Sequence, residues 1–158
     1  ILGNLVAIVQ SDLKRLLAYH SVENIGIIVM GLGVGLLGRA IHSPTLMVLG
    51  IAGGLLHVFN HAVFKGLLFL GAGSVLHATG TGSMESLGGL KKRMPWTSFS
   101  FLIGAAAISG LPPFNGFISE FLIYLASLHG ICSFGAGVVI PLLLVVGGLA
   151  LIGGLAAA

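Results

Sequence analysis

Residues 57–65 read HVFNHAVFK. His57, His61 and Lys65 recur at every fourth position, so on an α-helix they lie within about 80° of one another and cover about 12 Å of its length. All three side chains exchange protons, histidine most readily near neutral pH. The surrounding sequence is apolar, and hydrocarbon penalises each of these groups. The row must therefore face the interior of a bundle or a hydrated cavity. A line of such groups bridged by water is what proton conduction across a dry layer requires. Asn60 and Phe64 flank the row. A single intramembrane histidine is readily explained as a hydrogen bond between helices, but three collinear groups ask for more. H-x-x-x-H can also ligate zinc, but the zinc-protease version needs Glu after the first His. Val58 stands there, no third ligand is evident nearby, and Lys65 would repel a cation, so no metal is expected.

Two acidic residues and one more lysine belong with this row. Glu120, in GFISEFLIY, is the one acidic residue of its apolar stretch and lies four residues past LPPFNG. Its simpler reading is an interfacial residue at a helix end. Glu23 and Lys14 both sit in SDLKRLLAYHSVENIG. Nine residues apart on one helix, they point to opposite faces and do not pair. Glu23 falls well inside the apolar run and is expected to be buried. Lys14 falls nearer a boundary, where a long side chain snorkels to the interface. His20, His42, His77 and His129 fall near the ends of apolar runs and read as interfacial.

These residues need a membrane to make sense of them. The 158-residue chain is 56% hydrophobic and 7% charged, with a mean hydropathy of +1.13, against roughly 25% charged residues in soluble domains. A water-facing shell cannot be built from it. Long apolar runs indicate helical spans, and the missing alternation of polar and apolar residues argues against an outer-membrane barrel. The 26 glycines suit close helix approach. A net charge of +3 is no nucleic-acid signal, because the basic residues collect at loops. The one cysteine, Cys132, excludes an internal disulfide and reads as a small apolar packer. No nucleophile elbow, phosphate loop, haem-attachment motif or dinucleotide fingerprint is present, so no catalytic site is expected in this chain. Beginning at Ile1 and ending in an apolar run, the sequence is expected to be a piece of a longer membrane subunit.

Residues 1–158 read as one all-α membrane domain of polytopic helices, with spans at about 16–37, 45–76, 97–128 and 134–158. A span takes roughly 20 residues. The third is interrupted at Gly110–Gly116, where Pro112 and Pro113 remove two backbone donors and Gly110, Asn115 and Gly116 loosen the helix. Such a break is tolerated only where protein or water satisfies the freed groups, as in the half-helices that build transporter sites. Lys14, Arg15, Lys91, Lys92 and Arg93 fall on one side of this threading and Arg39 on the other. The positive-inside rule then makes the loops around 10–15 and 77–96 cytoplasmic and puts Glu120 toward the opposite face.

SDLKRLLAYHSVENIG, HVFNHAVFKGLLFLGAGSV, LGGLKKRMPW and LPPFNGFISEF together resemble the proton-translocating antiporter-like subunits of respiratory complex I and of multi-subunit cation/proton antiporters. AYHSVENIGI and LPPFNGFISE are most similar to the membrane subunits of group 4 hydrogenases. Complex I subunits more usually carry Ser-Thr and Gln where this chain has His20 and Glu23. The resemblance implies a subunit with two inverted five-helix repeats, each with a discontinuous helix, this chain lying in the second. It implies that Lys14 is a buried lysine of a central polar axis, that His57, His61 and Lys65 continue that axis, and that Glu120 stands at the proton exit. Glu23 has no general counterpart. The function implied is proton translocation within a hydrogenase- or NADH dehydrogenase-type oxidoreductase complex. The alternatives are a subunit of a multi-subunit Na+(K+)/H+ antiporter and a structural membrane anchor. No cofactor is expected in this chain; Fe–S, NiFe or flavin groups would reside in partner subunits. Expected partners are the lipid bilayer, other membrane subunits and, indirectly, a soluble redox arm, with no nucleic acid. The expected location is the cytoplasmic membrane of a bacterium or archaeon.

Overall fold

A computed structural model describes the backbone of residues 2–157. Among these residues every regular element is helical, with no strand: α1 (Leu2–Ile8), α2 (Leu13–Ala40), α3 (Pro44–Thr79), α4 (Leu90–Arg93), α5 (Pro95–Ile108), α6 (Asn115–Ser133) and α7 (Ala136–Ala157), plus a 3-10 turn at Met84–Ser86. Three of them, α2, α3 and α6, are long and apolar enough to cross a membrane. The chain is an all-α transmembrane bundle.

Local chemistry sets the ends of the long helices. Asp12 caps α2, its Oδ1 accepting the Arg15 N–H at 3.0 Å. Ser43 caps α3, followed by Pro44 at the first helical position, where a missing N–H costs nothing. Gly80 closes α3 in the left-handed conformation. At that end of the bundle Leu13 N–H donates to Gly82 O at 3.0 Å and Met84 N–H to Ser11 O at 2.8 Å, tying the loops together.

The α2–α3 pair is packed backbone to backbone. A Cβ added at Gly31 would lie 2.9 Å from Gly54 Cα, and one at Gly50 would lie 2.5 Å from Gly35 N. Small residues permit this approach, which lipid-embedded helices use in place of a hydrophobic driving force. Val34 and Leu46 meet Ala126 of α6 and Leu142 of α7 in one apolar cluster. Large apolar side chains such as Phe59, Leu70 and Leu144 face outward, as they must where the solvent is hydrocarbon. Cys132 is exposed among them, not packed inside as its apolar character suggested.

The break is sharply defined. Helix α5 ends with Gly110 at φ +63° and with Leu111 N–H reaching back to Ala106 O at 3.4 Å, a Schellman closure. Pro112 and Pro113 follow, and α6 restarts at Asn115. Gly116 lies in the first turn of that restart, and its missing side chain makes room for the Ala107 carbonyl. Helix α5 has 14 residues and is too short to span alone, whereas α6 has 19 and runs on to Ser133, past the boundary near 128 expected from sequence. No proline intervenes before Phe134-Gly135.

Helices α5 and α6 both pack along α3 and touch each other little. Their register runs antiparallel to α3 without a jump. Phe101 packs at Gly71, Leu68 at Gly104, Asn115 at Asn60 and Ile123 at Gly53. Residues 109–114 therefore come level with residues 61–67 of α3, near the middle of a helix of 36 residues, or about 54 Å.

Candidate functional site: a buried polar network at the helix break

His57, Lys65 and Glu23 are buried, with 0%, 6% and 4% of their surface exposed. They are among the few polar groups inside an otherwise apolar bundle. On α3, His57 and Lys65 are buried and His61 is half-buried, and the three have different surroundings.

His57 is clamped between two other helices. Its Nε2 lies 3.0 Å from Asn24 Oδ1 on α2, and its Nδ1 lies 2.9 Å from Ser119 Oγ on α6. One turn along, Asn60 and Asn115 exchange hydrogen bonds across the restart of α6. Asn60 Nδ2 donates to Asn115 O at 2.7 Å, and Asn115 Nδ2 donates to Asn60 Oδ1 at 3.1 Å. Asn60 thus holds the first turn of α6 through both the backbone and the side chain of Asn115.

His61 stands edge-on to Phe64, ring centroids 5.6 Å apart. Its Nε2 is enclosed yet has no hydrogen-bond partner among the described residues. Lys65 donates to the Leu17 carbonyl of α2, and its ammonium sits 5.7 Å from the Phe69 ring centroid. An ammonium has three donors, so capacity for further partners remains.

Glu23 and His20 lie one turn apart on α2, with His20 Nδ1 2.7 Å from Glu23 Oε2. His20 is therefore part of the site and not the interfacial residue expected from its position. Both line a cavity of about 250 Å³ together with Leu17, Leu68, Ile108 and Ser109. This space has room for several waters, and polar groups to hold them. It runs from the α2 pair to the end of α5. Across the break, the Glu120 carboxylate fills the space beside Gly110: a Cβ there would lie 2.8 Å from Oε2. Glu120 is half-buried.

Lys14 is exposed at the second position of α2, apart from the row, where its place near a boundary put it and not buried as the resemblance implied. Asn24 and Ser119 join the site without having been expected there, each lying beside an acidic residue, Glu23 and Glu120, that drew the attention. The spacing His20–Glu23–Asn24 is the signal that could have flagged the first. Among the described residues, no group of His, Cys, Asp and Glu is arranged to hold a metal ion.

An apolar-surfaced helical bundle with a discontinuous helix, and a buried polar network at the level of the break, defines a multi-pass membrane protein. The particular family follows from comparison. Residues 1–146 match the family model for the transmembrane region of NADH:quinone oxidoreductase and Mrp antiporter proteins, and the chain belongs to this family, as its motifs suggested. It is 54% identical over 120 residues to hydrogenase-4 component B of Escherichia coli K12, covering 76% of this chain and 18% of that protein. It is 49% identical over 156 residues to formate hydrogenlyase subunit 3 of the same organism, covering 98% of this chain and 25% of that protein. To one of the Na(+)/H(+) antiporter subunits of Alkalihalophilus pseudofirmus it is 42% identical over 131 residues, covering 80% of this chain and 16% of that protein. The chain thus spans a quarter or less of the length of these curated relatives.

Proposed function

We propose that this chain is the proton-conducting part of a membrane subunit in a hydrogenase- or complex I-type oxidoreductase, embedded in a bacterial or archaeal cytoplasmic membrane with the loops around 10–15 and 77–96 on the cytoplasmic side. Protons pass among Lys65, His61 and His57, through the cavity beside Glu23 and His20, and leave by Glu120. The observation that carries this reading is one of level. The break at 109–114 lies opposite residues 61–67 of α3, so the titratable row, the freed backbone and the Glu120 carboxylate meet at the same depth.

Moving one elementary charge against the membrane potential takes about 2.3 kcal/mol per 100 mV. Nothing in this chain supplies that energy. It comes from electron transfer in partner subunits, which hold the Fe–S, NiFe or flavin groups in a soluble arm. The similarity to named hydrogenase and formate hydrogenlyase proteins supports such partners.

The test is proton uptake by inverted membrane vesicles containing the full-length subunit in its complex. Lys65→Ala or Glu120→Gln should impair uptake while leaving assembly intact. Normal uptake in the Lys65→Ala complex would sink the assignment. Similarity to a named Na(+)/H(+) antiporter protein favours a second reading, cation/proton exchange through the same residues. Sodium- or potassium-dependent proton movement in vesicles lacking any redox substrate would select it.

A further inference from the structure

Donor and acceptor counting around His57 reaches beyond the row itself. Asn24 Nδ2 donates to the His20 carbonyl at 2.8 Å, so it is Asn24 Oδ1 that faces His57 Nε2 at 3.0 Å. An amide oxygen only accepts. Nε2 therefore carries a hydrogen in every charge state, and any change of protonation is confined to Nδ1, which faces Ser119 Oγ at 2.9 Å.

Ser119 is fully buried and has one hydroxyl hydrogen to place. It has further acceptors in Gly116 O at 2.9 Å and Asn115 O at 3.4 Å, and it receives Asn60 Nδ2 at 3.3 Å. Two arrangements satisfy this count. With a neutral ring, Ser119 donates to the Nδ1 lone pair. With a doubly protonated ring, Nδ1–H donates to Ser119 Oγ and the Ser119 hydrogen turns to Gly116 O. Neither leaves a buried nitrogen of His57 unpaired.

We infer that Ser119 is a positioning residue, a two-position hydroxyl that lets His57 take up and release a proton at Nδ1 without losing its partner. This rests on the proton-pathway reading above. No covalent bond breaks at Ser119: the proton is handed on by charged His61, the next titratable member of the row, which is left neutral; it becomes the Nδ1–H of His57 with its charge on the imidazole, and the Ser119 O–H only rotates. The Gly116 carbonyl also receives the N–H four residues on, which is that of Glu120. The charge on His57 is thereby felt in the turn that carries Glu120.

The experiment uses the full-length subunit in its assembled complex, in inverted vesicles, and reads protons moved per redox turnover. Ser119→Ala removes the acceptor for a charged donor, and the ratio is expected to fall roughly tenfold with turnover retained. Ser119→Thr keeps a hydroxyl and should restore it. Ser119→Cys, close in volume but a weak hydrogen-bonding group, should behave like alanine, and decides the matter if the alanine variant does not assemble. A normal ratio in Ser119→Cys or Ser119→Ala, with the ratio lost in Lys65→Ala, overturns the switch alone. A normal ratio in Lys65→Ala overturns the pathway on which it rests.

Discussion

His57 Nε2 donates to Asn24 Oδ1 across the α2–α3 interface, 33 residues apart in sequence and 3.0 Å apart in space. Neither residue is accessible: His57 is 0% and Asn24 1% exposed. Removing one partner strands the other, and a buried donor without an acceptor costs about 1–3 kcal/mol. Asn24→Ala should therefore lower the thermal stability of the protein by about that amount, measured on the detergent-solubilised complex. An unchanged melting temperature would show that water replaces the amide.

Gly110 and Glu120 are bound together by space. Gly110 holds a left-handed φ of +63°, and a Cβ on it would press on the Glu120 carboxylate. Gly110→Ala is expected to cost about 1–2 kcal/mol in backbone strain alone and to displace the carboxylate, lowering proton uptake in vesicles. Gly33 is the control, because nothing lies within 4 Å of its added Cβ. Equal effects of Gly110→Ala and Gly33→Ala on uptake would mean that the position of Glu120 does not matter.

The α2–α3 crossing makes a sharper contrast. At Gly50 the added methyl would run into the backbone of Gly35 and the Gly31 carbonyl, 2.5–2.9 Å away, where no rotamer change can relieve it. Overpacking of this kind typically costs about 1–3 kcal/mol. Gly50→Ala should destabilise the bundle by that order, while Gly26→Ala and Gly66→Ala, with nothing within 4 Å, should leave it unchanged or slightly stabilised. Thermal melting of the three variants side by side decides this.

What the sequence displays and what it hides follow from one fact about membrane helices. The inward row of His57, His61 and Lys65 is legible because titratable groups at a period of four stand out against an apolar run. The break is legible because Pro112 and Pro113 cannot sustain the backbone ladder. The inward and outward faces of the remaining helix surface are both apolar, so hydropathy does not separate them. That is why Cys132 is expected inside and lies outside. It is also why nothing in the sequence pairs Asn24 and Ser119 with one histidine, although the spacing His20–Glu23–Asn24 marks a polar face on α2. His20 reads as interfacial for a related reason. Distance along the chain is a poor measure of its depth, because its partner Glu23 lies one turn further in. Lys14 is drawn into the axis by family resemblance, against its own position at the end of a helix.

The His20–Glu23 pair offers the most discriminating case. Glu23 is buried, and His20 is the side-chain partner of its carboxylate among the described residues, at 2.7 Å on the edge of the cavity that leads to the break. If the pair acts as one proton-exchanging unit, the two residues are not independent. Glu23→Gln keeps a hydrogen-bonding amide of similar size but cannot take up or release a proton. His20→Gln does the same on the other side. Each single change is expected to lower protons per turnover with assembly intact, and the double change should be little worse than either alone, since residues in one network couple strongly. Losses that multiply in the double variant would mean that Glu23 and His20 act separately. Two unaffected single variants would reduce the pair to a structural contact between neighbouring turns of α2, and would leave the α3 row with Glu120 as the path.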